Sequence, residues 1–587
     1  MGEKRRKQKY RRIRADSGQQ RRIGIVMAVL GAAAFLPVLV RLYGLMVASY
    51  DEWSALALSN QSRTTQVQPV RGVIYDRNLN ILAASTTVEH VYLAPRELQQ
   101  TGADIEELAR TLGEILQVDS DHVRELAKDR SLRYQLIKAG VEEADAAAVR
   151  AYIEASGTQG IHLEPNSRRQ YPYGTLAAQV IGFTNASGGG AEGIEASYDR
   201  YLSGEAGRTI TTKGNNEMDM PFSYEKYVAG TQGNSLILTL DATVQACLEK
   251  QMETAIAKYD VQNGAFGMVM NAKTGEILAM ATLGSYDPNK YLEIADSETA
   301  AELEEIKLFS QLHPEEKEKY QEMLNTARLK QWRNRVLSDG YEPGSTFKVL
   351  TMAAALDCGA IDLNTGFYCS GAEQIPGRSQ LLHCWRSQGH GAEQTPQALQ
   401  NSCNIAFAHI ALKLGGERFY EYVKNFGVLE KTGIDLSGES KGVFFDKALV
   451  TDTDKWGTAS LTSGSFGQTF KITPLQLVRA VAAVVNGGKL LEPYIVSEVI
   501  DAEGNTLLKQ EPTILGNPIS ETTSSMMCAM IESVVTEGTA KNAAVSGYRV
   551  GGKTGTSEKI DVFDENGQRV RDKIVSFVGL APMDDPR

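Results

Sequence analysis

The chain has 587 residues, 42% of them hydrophobic and 23% charged, enough for two or three domains with substantial cores and too apolar for disorder throughout. Its net charge of −11 is unevenly placed: ten lysines and arginines precede residue 23 against Glu3 and Asp16, so the tail carries +8 and the rest −19. An acidic body argues against nucleic-acid binding, and the six scattered cysteines (Cys247, Cys358, Cys369, Cys384, Cys403 and Cys528) are too few for a disulfide-built scaffold.

The basic tail, residues 1–22, is explained by the neighbouring apolar segment. Ile23 to Val40 carries no charge, and with Leu42 to Val47 beyond Arg41 the apolar stretch reaches membrane-spanning length. Val47-Ala48-Ser49 has the small residues of a signal-peptide cleavage site, but the apolar run exceeds a signal peptide's core, so residues 23–47 are expected to be an anchor. The basic side then stays in the cytoplasm and everything past about residue 48 lies outside. Trp53 to Asn60 continues as an amphipathic helix. Arg71 to Ala83 reads as strand, polar turn, strand. Residues 96 to 155 are helix-rich, with Leu108, Leu112, Ile115 and Leu116 in phase. From Arg168 to Pro172 the pattern turns extended, and Gly188-Gly189-Gly190 marks a loop. A domain boundary falls near Ala229 to Gly233, and nothing before it carries a catalytic constellation.

Beyond the boundary come a strand over Ser235 to Leu240, a helix over Ala242 to Tyr259, and a hairpin formed by Gly264 to Asn271 and Ile277 to Leu283. Its turn contains Lys273-Thr274-Gly275, a tripeptide that hairpin turns use for geometry alone. Residues 297 to 335 are charged and helix-prone, a solvated insertion. Then comes Tyr341-Glu342-Pro343-Gly344-Ser345-Thr346-Phe347-Lys348, running into Val349 to Leu356. Pro343-Gly344 blocks helix upstream and the alanine-rich run favours it downstream, so Ser345 sits in the first turn with Lys348 on the same face. A serine hydroxyl barely ionises and needs an adjacent base; a desolvated, neutral lysine can take its proton. The helix N-terminus offers N–H groups to an oxyanion. Taken alone the spacing is weak, since Ser223-Tyr224-Glu225-Lys226 repeats it in a polar stretch.

Cys369 and Cys384 flank a polar segment and form either a loop-closing disulfide or two free thiols. His383, Cys384 and His390 suggest a metal site only superficially, because a fourth ligand at recognisable spacing is missing. Thr395-Pro396 opens a helix that leads to Ser402-Cys403-Asn404; opposite Ser345 and Lys348, the serine can relay a proton and the asparagine amide can hold a substrate carbonyl. Gly464-Ser465-Phe466-Gly467-Gln468 is glycine-rich but lacks a phosphate-loop lysine. Thr473-Pro474-Leu475-Gln476 fits a capping box, and Asn486-Gly487-Gly488 a helix stop. Tyr548 to Thr556 reads as a strand ending in Lys553-Thr554-Gly555-Thr556, where a lysine can attract a carboxylate, threonine hydroxyls can bind it, and a backbone N–H can complete an oxyanion hole. Ile574 to Leu580 is a further strand.

In this order, these residues resemble the class B penicillin-binding proteins, membrane-anchored D,D-transpeptidases of bacterial cell-wall synthesis. Arg71-Gly72, Asp76-Arg77-Asn78, Arg169 with Tyr171-Pro172, and Gly193 with Glu195 look like the family's pedestal motifs. Trp332-Arg333-Asn334 and Cys403 look most like its septal and sporulation-specific branch. The resemblance implies a multidomain α+β architecture: a single transmembrane helix, an elongated pedestal over 48–232, and a transpeptidase domain over 233–587, an antiparallel sheet flanked by helices as in serine beta-lactamases. It implies that Ser345 attacks the penultimate D-alanine carbonyl of a stem peptide with Lys348 as base and Ser402 as relay. Asn404 would position the donor peptide, Lys553, Thr554 and Thr556 would bind its carboxylate beside Gly555, and the N–H groups of Ser345 and Thr556 would form the oxyanion hole. Beta-lactams would acylate the same serine, with no metal or organic cofactor needed. The implied partners are stem peptides, lipid-linked precursor strands, the membrane, a polytopic glycan polymerase and other division proteins. Two departures stand out: Leu79 replaces a turn glycine, and the family continues past Ala581-Pro582 with a further strand and helix, as if this chain were truncated. A D,D-carboxypeptidase or beta-lactamase shares the motifs but uses water to deacylate, and a non-catalytic division scaffold is disfavoured by the intact site residues.

Overall fold

The computed structural model of the chain describes residues 17–48, 62–67, 69–129, 132, 134–205, 207–212, 225–228, 230–452, 457–558 and 572–587. The amphipathic helix expected over Trp53 to Asn60 and the decoy serine Ser223 lie outside them.

The chain forms two compact units, one of residues 1–67 with 206–230, the other of residues 68–205 with 231–587. The first holds a helix, Ser17–Tyr43, in which no residue is buried. With the turn that continues it to Val47 it is long and apolar enough to cross a membrane. Pro37 inside it removes one backbone hydrogen bond, which membrane helices tolerate. The same unit contains an antiparallel sheet of Ser62–Val67, Gly207–Thr212 and Glu225–Val228.

The second unit is built around a mixed sheet whose strands run, in spatial order, Thr506–Lys509, Val496–Ile500, Ser235–Leu238, Ile74–Tyr75, Ile81–Leu93 and Gln135–Val141, with Ile161–Gln170 also paired to Ile81–Leu93. This sheet draws strands from both sides of residue 232, because Ile74 and Tyr75 lie parallel to Leu236 and Ile237. The turn before Ile81 closes on Asp76, whose Oδ1 accepts from Asn78 and Asn80 N–H at 2.8 Å each. Leu79 sits there at φ 65°, the left-handed conformation for which a glycine would be the unstrained residue.

Two apolar cores result. In the smaller, Leu108, Leu112 and Leu116 of the helix Ile105–Leu116 pack with Val91, Leu93 and Val123. The periodicity over 96–155 is helical as expected, but Gln135–Val141 interrupts it as a strand. The motif residues Arg71, Arg169, Tyr171 and Glu195 come together in a buried ionic network. Arg71 Nε and Arg169 Nε each contact a different Glu195 oxygen at 2.6 Å, Arg71 also holds Asp199 at 2.6 Å, and Tyr171 donates to Glu195 at 3.3 Å. Two guanidinium groups around one carboxylate satisfy a charge that could not otherwise stay buried.

The larger core contains the helix Lys348–Asp357, wrapped by Thr395–Gln400, Asn404–Leu414, Pro474–Val485 and Glu521–Thr536. The capping box at Thr473 forms as expected, Thr473 Oγ1 accepting from Gln476 N–H at 3.2 Å and Gln476 Oε1 from Thr473 N–H at 2.9 Å. Phe266–Met270 and Ile277–Thr282 form the expected hairpin, and Gly551–Glu558 pairs antiparallel with Lys573–Leu580.

Candidate active site

Gly344–Phe347 forms a single 3-10 turn that runs into the helix Lys348–Asp357. Ser345 therefore lies one turn before the α-helix proper, and within 341–350 it is the one residue that is not buried. The turn is pinned from several sides. Thr346 Oγ1 donates to the Pro343 carbonyl at 2.7 Å, Gly344 N–H to the Gly467 carbonyl at 2.9 Å, and Tyr341 and Ile472 exchange backbone hydrogen bonds at 3.0 Å each. Gly344 has φ 58°, and a Cβ there would stand 2.8 Å from the Thr556 carbonyl oxygen. The glycine-rich 464–468 loop thus works as a brace for the serine turn.

Lys348 is fully buried, and its amine turns toward the second motif. Nζ donates to the Ser402 carbonyl at 2.8 Å and to Asn404 Oδ1 at 2.7 Å, and lies 3.2 Å from Ser402 Oγ. Among the described residues no side chain hydrogen bonds to Ser345 Oγ, so the expected direct Ser345–Lys348 contact gives way to one between Lys348 and the second motif. Ser402 adopts φ 53° between the two helices that flank it. That left-handed backbone costs a serine of order 1 kcal/mol and aims its hydroxyl inward. Asn404 Nδ2 donates to the His383 carbonyl at 3.3 Å, fixing the amide so that its oxygen faces Lys348.

From the opposite side, Lys553 Nζ reaches Ser402 Oγ at 3.0 Å and donates to the Thr554 carbonyl at 3.0 Å. One serine oxygen is therefore shared by two buried lysines. Burial lowers Lys348 from 10.5 to about 8. Burial first, and then the Lys348 charge, push Lys553 well below its ordinary value. Two ammonium groups around one hydroxyl are mutually unfavourable, so one proton is held weakly by the pair. The Lys348 amine donates to the two carbonyl oxygens and lies within reach of the Ser402 hydroxyl, and in its neutral form it carries a lone pair that can take a proton.

The strand Gly551–Glu558 closes the site. Ser557 Oγ donates to the Glu342 carbonyl at 2.8 Å, tying the strand to the serine turn. A Cβ on Gly555 would stand 2.7 Å from the Pro343 carbonyl oxygen, so the glycine permits this approach. Lys553, Gly555 and Ser557 are buried, Thr554 is half-buried and Thr556 exposed, which leaves the threonines at the mouth. The tripeptide Lys273-Thr274-Gly275 stays in its hairpin turn, with Lys273 ion-paired to Asp585.

Residues 265–587 match the penicillin binding protein transpeptidase domain, and residues 66–238 the penicillin-binding protein dimerisation domain. The chain belongs to the class B penicillin-binding proteins. It is similar to stage V sporulation protein D of Bacillus subtilis, 34% identical over 565 residues that cover 96% of this chain and 80% of that protein. It is also similar to the peptidoglycan D,D-transpeptidase FtsI of Escherichia coli K12, 27% identical over 95% of this chain and 84% of that one. Among solved structures, penicillin binding protein 2X of Streptococcus thermophilus superposes with a TM-score of 0.68 at 23% identity, covering 89% of this chain and 75% of the other.

In this penicillin-binding protein, sequence spacing missed two features around the second motif. Phe407 and Phe466 lie with ring centroids 5.2 and 5.9 Å from Lys348 Nζ, forming the apolar wall that desolvates it; Phe407 falls in no motif, and the glycine-rich stretch around Phe466 gives no sign of this role. Cys369, Cys384 and Cys403 also converge, all three as free thiols, while His383 is exposed. Cysteines spread over separate segments give no local signal of meeting.

Proposed function

We propose that this chain is a serine-type peptidoglycan D,D-transpeptidase that cross-links stem peptides through an acyl-enzyme on Ser345, in septal or spore wall synthesis. The observation that carries the reading is the single network joining Lys348, Ser402, Asn404 and Lys553 behind the only unburied residue of the serine turn. Ser345 Oγ attacks the carbonyl of the penultimate D-alanine while neutral Lys348 accepts its proton. The N–H groups of Ser345 and Thr556 hold the oxyanion. Ser402, hydrogen-bonded to both lysines, passes that proton to the departing D-alanine amine; an amine of a neighbouring stem peptide then attacks the ester, the acyl C–Oγ bond breaks, and the proton the amine gives up returns through the same relay to Ser345 Oγ. Lys553, Thr554 and Thr556 take the substrate carboxylate and Asn404 its amide. Beta-lactams mimic the donor and stop at the acyl stage.

The helix Ser17–Tyr43 supports a single-pass membrane anchor. The ten basic residues before position 23 support a cytoplasmic N-terminus and an extracytoplasmic catalytic domain. In that setting the partners are lipid-linked precursor strands, a polytopic glycan polymerase and division proteins, with a pedestal over 48–232 carrying the transpeptidase domain over 233–587. The test is intact-mass spectrometry after exposure to benzylpenicillin, with Ser345→Ala in parallel. A stable adduct on the parent and none on the variant is expected. Rapid drug turnover without an adduct would identify a hydrolase, and no reaction in the folded protein would end the enzymatic reading.

A further inference from the structure

Behind the second motif, four soft metal-ligating side chains meet. Cys369 ends the strand Gly366–Cys369, Cys384 comes directly after the short strand Leu382–His383, His390 precedes Gly391–Gln394, and Cys403 caps the helix Asn404–Leu414. One ligand atom from each lies within 4.8 Å of all the others. Cys384 Sγ and His390 Nδ1 stand 3.7 Å apart. Zinc bonds of about 2.3 Å to sulfur and about 2.0 Å to nitrogen place tetrahedral neighbours roughly 3.5 to 3.8 Å apart, so the cluster needs only a small contraction to coordinate an ion.

The surroundings are built for such a cluster. Cys369, Cys384 and Cys403 are 1%, 6% and 0% exposed, and the His390 side chain 2%. His390 Nε2 is buried without a hydrogen-bond partner. The Cys403 sulfur accepts the Ala406 N–H at 3.4 Å, the kind of support that zinc-bound thiolates receive from the chain around them. The 369–391 segment is folded tightly enough that a Cβ on Gly371 would stand 2.0 Å from the Ser387 carbonyl oxygen, and one on Gly389 2.2 Å from that of Cys369. Cys369 pairs with Gly391 across the sheet, and Cys384 N–H donates to the Gly371 carbonyl at 2.9 Å. Three thiols and an imidazole from four segments are thus held in place by backbone, not by one flexible loop.

We infer that Cys369, Cys384, His390 and Cys403 bind a single structural zinc ion. Three thiolates and one imidazole fill all four positions of a tetrahedral ion and leave none for water or substrate, so the ion's work is architectural. Each thiol gives up its proton on binding, which makes occupancy fall in acid. Cys403 is the central residue of Ser402-Cys403-Asn404, so the ion clamps from behind the two side chains that Lys348 holds from the front. This inference concerns a site the transpeptidase reading does not use, and its test does not depend on activity.

The experiment is native mass spectrometry and elemental analysis of the full chain, purified in detergent under thiol reductant with Zn2+ supplied. One zinc per chain is expected in the parent, in Ser345→Ala, and in a variant with Cys247, Cys358 and Cys528 replaced by serine. Cys369→Ser and His390→Ala should lose it. Because those two variants can also misfold, the parent is in addition loaded with Co2+, which should give thiolate charge-transfer absorption and the intense visible bands of a tetrahedral site. A folded parent that holds no stoichiometric zinc and gives no such cobalt spectrum, whether its thiols are free or joined in a disulfide, overturns the inference. So does zinc lost from the variant of the three distant cysteines.

Discussion

Raising the pH through 8 should switch the nucleophile on. Lys348, held at about 8 instead of 10.5, is neutral in roughly 10% of molecules at neutral pH, where an ordinary lysine is neutral in about 0.03%; the fold thus supplies about 300 times more free base. The same difference amounts to roughly 3 kcal/mol held against the charged amine. Solvent does not screen it away, since Lys348 is 0% exposed. The assay is the second-order rate of acylation by benzylpenicillin, read by intact mass from about pH 6 to about pH 9.5. The rate should climb about tenfold per pH unit below the midpoint near 8 and level off above it. Lys553 shares Ser402 with Lys348, so the observed midpoint belongs to the pair. A rate that stays flat through this range, or a Lys348→Arg variant with the parent's rate, would refute the assignment of Lys348 as the base.

The same titration has a stability counterpart. The folded chain gives up the Lys348 proton at about 8 and the unfolded chain only near 10.5, so between those values the unfolded state binds more protons and stability rises with pH. Thermal unfolding should show a Tm that increases across this window in the parent, with that part of the increase missing in Lys348→Met. Ser402→Gly and Ser402→Ala both lose the shared hydroxyl and should acylate at least about a hundredfold more slowly. Because Ser402 has φ 53°, Ser402→Gly should nonetheless unfold at higher denaturant than Ser402→Ala, by up to about 1 kcal/mol; equal stability would mean the backbone is unstrained. Glu195→Gln leaves Arg71 and Arg169 buried around a neutral amide and should cost about 3–5 kcal/mol in a urea titration, while Glu142→Gln, whose Arg168 partner is exposed, should cost less than about 1 kcal/mol.

What could be read from the sequence was local. Ser345 and Lys348 carry their own context, since Pro343-Gly344 and the alanine-rich run decide where a helix can begin. A hairpin turn accounts for the second Lys-Thr-Gly, and Lys273 does lie in that turn. Thr473 and Gln476 announce their cap three residues apart. What could not be read depends on residues that are distant in the chain. The Val73 N–H to Ser235 Oγ bond spans 162 residues, so nothing near position 232 reveals that the sheet continues through it. Ser402 enters the left-handed region with no glycine to mark it. The aim of Lys348 at Ser402 and Asn404 is set by helix packing and by Phe407 and Phe466, which no spacing encodes.

The parallel pairing of Ile74–Tyr75 with Leu236–Ile237 bears on how the catalytic half can be isolated. A fragment beginning at residue 233 would keep every catalytic motif, yet would expose one bare edge of Ser235–Leu238 and deprive the Leu240 carbonyl of the Arg77 N–H that it accepts. Exposed edges of this kind recruit other strands. The shortest soluble version is therefore expected to start near residue 69 rather than at 233. By the same connection, a pull on the N-terminal portion would load hydrogen bonds between neighbouring strands, so force applied there would reach the catalytic half through the sheet.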